Sequence, residues 1–135
     1  MKNPLTSTQS LSNDLAALFL RLVVGGLLIT HGYAKLVSFS EMYSTFPDLI
    51  GIGSKFSYIL VVFAEFFCGI FVALGFLTRI SVIPIMITMI VAYFIAHATD
   101  PFNVKELPFA YMLLTVAVFI LGSGKVSLDR IIFKY

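Results

Sequence analysis

Apolar residues fall in four long runs, at about 15–35, 56–77, 80–96 and 107–121, separated by short polar stretches. Each run approaches the ~17–25 residues that a helix needs to cross the hydrocarbon core of a bilayer. The fourth is short on that count, so its helix is expected to begin earlier, near Val104. The runs lack the alternation of strands, and an outer-membrane barrel would need about eight or more of them. The pattern therefore predicts an all-α fold, a transmembrane four-helix bundle. Its helices are expected at about 15–37, 56–77, 80–97 and 104–121, in a single integral membrane domain over 1–135.

Finer spacing fills in this outline. Asn13 or Asp14 is placed to cap helix one, and Arg21, Gly25, Leu28, Gly32 and Lys35 alternate four and three apart, forming one stripe. Glycines on that stripe let a neighbouring backbone approach, and Glu65, Gly69 and Ala73 make a matching small-residue face on helix two. The short stretch from Gly75 to Arg79 forces helices two and three to be antiparallel neighbours. Pro84 is tolerated in the first turns of helix three, and Pro108 suits the opening turn of helix four. Phe39, Met42, Tyr43 and Phe46 recur at helical spacing before Pro47, predicting a short interfacial helix in the first outer loop, either an anchor or a lid. Leu128, Ile131, Ile132 and Tyr135 repeat the pattern in a basic C-terminal tail on the inner leaflet.

Composition agrees: of 135 residues, 59% are hydrophobic and 12% charged, against about 45–50% and about 25% in soluble chains. Lys2 precedes a polar Ser/Thr-rich stretch with no cleavage site after the apolar run, so the first helix is expected to stay in the mature protein. One cysteine, Cys68, excludes an intramolecular disulfide or a Cys-x-x-Cys pair. A net charge of +2 is too small to imply nucleic acid. Lys2, Arg79, Lys125, Arg130 and Lys134 flank one side of the predicted bundle and Lys35, Lys55 and Lys105 the other. Positive-inside bias then puts both termini in the cytoplasm, with a bacterial inner membrane as the expected location.

The candidate chemistry centres on Glu65. A carboxylate at the bilayer centre costs roughly 2.5–3.5 kcal/mol even on a lenient insertion scale, so it must be protonated, hydrated or paired. Helical side chains lean toward their own N-terminus. On antiparallel helices Glu65 therefore leans outward while His31 and Lys35 lean inward to meet it. Arg21 lies about 9 Å deeper at ~1.5 Å rise per residue and leans away, so it is expected to snorkel to inner headgroups, with Arg79 also charged on that side. The outer half thus collects His31, Lys35, Glu65, His97, Glu106 and Tyr111, a set able to hydrogen-bond a quinone head group and move its protons. The structural alternative is a polar plug that fixes helix register. A haem between His31 and His97 is the weaker metal alternative, because no other spacing supports it and no metal site is otherwise suggested. The Gly-Ser-Gly-Lys run after helix four fails as a phosphate loop, since Phe119 and Val126 occupy positions the motif reserves, and reads as a helix stop.

Several of these pieces, in order, resemble the DoxX family of small four-helix membrane proteins. They are Arg21 with the His31, Gly32, Lys35 run; Glu65, Gly69, Gly75, Thr78 and Arg79; and the tail Gly122, Gly124, Ser127, Leu128, Asp129. The resemblance implies a four-helix membrane fold. It also implies association with quinol oxidase or thiosulfate:quinone oxidoreductase systems, or with redox-protective enzymes, and no catalytic residue set is carried over. Two readings follow. One is a quinone-interacting accessory or anchor subunit of a soluble or membrane oxidoreductase, rather than an enzyme on its own. The other is a non-catalytic scaffold or small-molecule carrier whose buried charges are structural. Both have membrane lipids as partners and are compatible with a homo-oligomer.

Overall fold

The structure, a computed structural model, describes residues 3–134; Lys2 of the flank count and Tyr135 of the tail pattern lie outside them. Among the described residues, four helices are long and apolar enough to cross a membrane: α1 (Asn13–Val37), α3 (Ser54–Leu74), α4 (Thr78–Ala96) and α5 (Phe102–Leu121). Two short helices, α2 (Phe39–Met42) and α6 (Leu128–Phe133), follow the first and last of them. Four crossings put both described chain ends at one end of the bundle, here the termini end. The connections after α1 and α4 lie at the opposite, loop end.

The stripe on α1 is the main seam. Ala17, Arg21, Val24, Gly25, Leu28 and Gly32 are its buried residues. A Cβ at Gly25 would lie 2.6 Å from the Gly69 carbonyl oxygen, and one at Gly32 would lie 2.5 Å from the Phe66 amide nitrogen. Only glycine lets α1 and α3 approach so closely, which is how small residues hold helices together where lipid removes the hydrophobic drive. Val24, Leu28, Val72, Val82, Ile85 and Val118 complete a core drawn from all four spanning helices.

Ser12, rather than Asn13 or Asp14, caps α1: its hydroxyl accepts from the Leu15 amide at 3.1 Å. Asp14 instead accepts from the Lys125 amide at 3.0 Å. Helix α3 starts and stops two to three residues before the expected 56–77, because Gly75 terminates it in the left-handed region (φ 71°). Helix α5 begins at Phe102 behind Pro101, so Pro108 sits inside the helix and not in its opening turn. As the seventh residue of α5 it lies past the unpaired N-terminal donors, so it removes one intrahelical amide donor.

The tail packs onto the end of the bundle. Asp129 accepts from the Leu77 and Thr78 amides at 2.7 and 3.2 Å, and its own amide donates to the Gly75 carbonyl at 2.9 Å. It thereby caps α4, whose preceding residue, Leu77, has a positive φ of 45° that a side chain rarely adopts. Residues 122–129 thus fold back under the termini end and close it.

Candidate functional site

Arg21 does not snorkel. Its side chain is enclosed, 1% exposed, because the returning segment covers it: Nη2 donates to the Val126 carbonyl, and the guanidinium lies against Gly75 and Ser127. Nε and Nη1, and the Thr78 hydroxyl nearby in sequence to Gly75, have no protein partner among the described residues. Arg79 is exposed at the same end and donates from Nε to the Phe119 carbonyl at 2.9 Å. A cation there complements the C-terminal dipole of α5.

At the other end the structure joins Lys35 to Glu65, with Nζ 2.6 Å from Oε2. The Glu65 side chain is 9% exposed and that of Lys35 is 31% exposed, so the carboxylate is the enclosed partner and the ammonium the one nearer the surface. Glu65 sits within a π-helical turn, Phe63–Phe67, in the middle of α3. Such turns insert an extra residue into the helical register and recur at functional sites. A second π-helical turn, Ala92–Ala96, ends α4.

Two cavities share Glu65, Thr88 and Ala92 as walls. The lateral cavity, about 470 Å³, lies between α3 and α4 under residues 46–52 of the first connection. These helices pack along their halves nearest the termini end and part toward the loop end. Its walls are mainly apolar, with Lys35, Glu65, Ser57, Thr88 and His97 as polar points. Leu60 and Ile87 on its rim are themselves exposed on the outer faces of α3 and α4. The axial cavity, about 130 Å³, takes Leu28 and His31 from α1, Glu65 from α3, Thr88, Met89 and Ala92 from α4, and Leu107, Pro108 and Tyr111 from α5. A third hollow of about 330 Å³ beside His31, Lys35 and Tyr58 opens at the loop end.

The predicted cluster is thus split. His31 is exposed and borders the axial cavity without bonding to Glu65; its ring meets that of Tyr111 edge-on, with centroids 6.2 Å apart. Tyr111 is buried. His97 borders the lateral cavity and pairs with Asp100, Nδ1 to Oδ2 at 2.7 Å. His31 and His97 therefore face different cavities, which removes the geometry that the haem alternative requires. Glu106 is exposed and borders neither cavity, because α5 turns it outward.

A family model described as DoxX matches residues 16–98. The chain belongs to the DoxX family. No curated protein and no solved structure matches it. The match takes in the Lys35–Glu65 pair and the walls that α1, α3 and α4 give to both cavities, while Tyr111 and the closing tail of this DoxX protein fall beyond it.

Residue-by-residue reading missed Tyr58, whose hydroxyl donates to the Lys35 carbonyl at 2.8 Å and so fixes the last turn of α1 beside Glu65. Phe39 and Phe46 pack on the Tyr58 ring, with centroids 5.5 and 5.1 Å away, which ties the first connection to α3. A signal existed: Tyr58 precedes Glu65 by seven residues and shares its helical face. Thr88 had none, since its hydroxyl donates to the Pro84 carbonyl at 2.8 Å and only the parting of the helices brings it to both cavities.

Proposed function

We propose that this DoxX protein is a membrane subunit that holds a quinone-class molecule for an oxidoreductase partner, with the head group in the lateral cavity. The supporting observation is the cavity itself. Its 470 Å³ falls within the ~300–1,000 Å³ of small-molecule sites, and it has the apolar walls and few convergent polar groups such sites use. The Lys35 ammonium and the His97 imidazole stand at its polar points as donors suited to carbonyl oxygens. The exposed rim between α3 and α4 gives a lipid-dissolved molecule a lateral way in. Chemistry stays with the partner; this chain binds and orients.

The structural reading rests on a different observation, that Lys35 and Glu65 already satisfy one another at 2.6 Å. The two separate in one experiment. Protein purified in mild detergent is extracted for quinones and titrated with a short-chain quinone by equilibrium dialysis. About one quinone per chain, lost in Val91→Phe, which fills the lateral cavity alone, is the expected result. No retained quinone and no saturable binding by a folded protein would leave only the structural role. A flavin- or metal-containing oxidoreductase that co-purifies and loses quinone turnover with Val91→Phe would identify the partner.

A further inference from the structure

The axial cavity has a different character from the lateral one, although the two share a wall. It lies where all four spanning helices meet toward the loop end, and three proton-exchanging side chains converge on it: the Glu65 carboxylate, the Tyr111 phenol and the His31 imidazole. Their hydrogen-bonding capacity is largely unspent. Glu65 bonds to Lys35 through Oε2, and Oε1 has no protein partner among the described residues. Neither the Tyr111 hydroxyl nor the His31 ring has a protein hydrogen bond among the described residues, and His31 is exposed, unlike the enclosed Arg21 nitrogens.

Apolar cavities stay dry, but a cavity with two to four polar partners holds water. At 130 Å³ this one has room for about four waters at ~30 Å³ each. Such a file would satisfy Oε1, the phenol and the imidazole together and would reach the surface at His31, the exposed member of the set.

We propose that the axial cavity is a water-filled proton inlet, running from His31 at the bundle surface past the Tyr111 hydroxyl to the Glu65 carboxylate. A proton taken up at the His31 end passes along the water to Glu65, which becomes a neutral acid, while the Lys35 ammonium keeps its protons. Proton return is the reverse step. Every group facing Glu65 belongs to this scheme or borders it: Lys35 and His31 from α1, Tyr111 from α5, His97 across the lateral cavity from α4, and Tyr58 one face-repeat away on α3. The inlet rests on the reading of the lateral cavity as a quinone-class site, since a head group there would meet Glu65 from the other side and exchange protons through it.

The test uses the full protein with no quinone added. First, radiolytic hydroxyl labelling compares Met89, a wall of the axial cavity that is 6% exposed, with Cys68, 2% exposed in the apolar core. Water in the cavity should label Met89 at least tenfold faster despite the greater intrinsic reactivity of the thiol; equal rates would mean a dry cavity and overturn the proposal. Second, infrared spectra on acidification should show a protonated-carboxyl band that Glu65→Gln removes. The rate at which D2O shifts that band should fall about tenfold in His31→Gln/Tyr111→Phe. An unchanged rate, or no Glu65 band before the protein unfolds, would refute the inlet. A protein that binds short-chain quinone and fails these tests keeps its lateral site and loses the inlet; one that passes them without binding quinone has the reverse outcome.

Discussion

Lys35 Nζ and Glu65 Oε2, 2.6 Å apart, link the last turn of α1 to the π-helical turn at the middle of α3, and only one of the two side chains is enclosed. Removing one partner of a buried pair is costly because it strands the other charge. The two halves of this pair are therefore unequal. Lys35→Met strands the enclosed carboxylate and should cost up to ~3–5 kcal/mol, less where water or a proton reaches Glu65. Glu65→Gln leaves an ammonium that can still reach the surface and should cost clearly less. Thermal unfolding in detergent checks the order, and a double-mutant cycle should show coupling of Glu65 to Lys35 and none to Arg21. Equal losses would contradict the asymmetry.

Glycines on the bundle seam should divide by what lies over them. A Cβ at Gly32 meets the Phe66 backbone at 2.5–2.7 Å, so Gly32→Ala should push α1 from α3 and destabilise by about 1–3 kcal/mol. Gly75→Ala combines a positive φ with a Cβ only 2.5 Å from the Ser127 Cβ, adding backbone strain of about 1–3 kcal/mol. Gly26 has nothing within 4 Å, and Gly26→Ala should stabilise by roughly 0.5–1 kcal/mol through helix propensity. Melting temperatures of the three variants read the sign directly.

Asp129 should matter more than its place in a short terminal helix suggests. Asp129→Ala removes the acceptors for two α4 amides and should cost about 0.5–2 kcal/mol as a lost cap. Asp129→Asn keeps one acceptor oxygen and should recover part of it. A trypsin time course adds a local readout: cleavage after Lys125, which stands exposed on the covering segment, should be faster in Asp129→Ala as that segment loosens. Equal cleavage in both proteins would place the hold on the segment elsewhere.

Much of the fold was legible because bilayer thickness sets the length of an apolar run, so four runs give four helices. The α1 seam, and a partner for Glu65 at His31 or Lys35, followed from spacing and side-chain lean, while the choice of Lys35 comes from the structure. The position of Arg21 did not, because residues 122–129 fold back irregularly and irregular backbone leaves no periodic trace. The π-helical turns around Glu65 and before His97 were equally silent, since they change hydrogen-bond register without changing composition. Glu106 was misplaced because closeness to a helix end says nothing of which way it faces.

Orientation is checked independently of the site. From the Lys and Arg distribution, the termini end is expected to face the cytoplasm. In a Cys68→Ser background, Thr8→Cys should resist an impermeant thiol reagent in whole cells and Ser40→Cys should react. The opposite labelling would invert the assignment.

The capping of α4 by Asp129 also sets an order of assembly. Ribosomes make residues 77 and 78 well before residue 129, so the first turn of α4 enters the bilayer region with its amide donors and the positive-φ Leu77 unsupported. Arg21 waits longer still for the Val126 carbonyl. Until the last stretch arrives, the Leu77 and Thr78 amides and the Arg21 guanidinium lack the partners that close the termini end. Final closure is thus a post-insertion event, and a fusion that keeps residues 122–129 from folding back would trap the chain threaded through the membrane and unlocked.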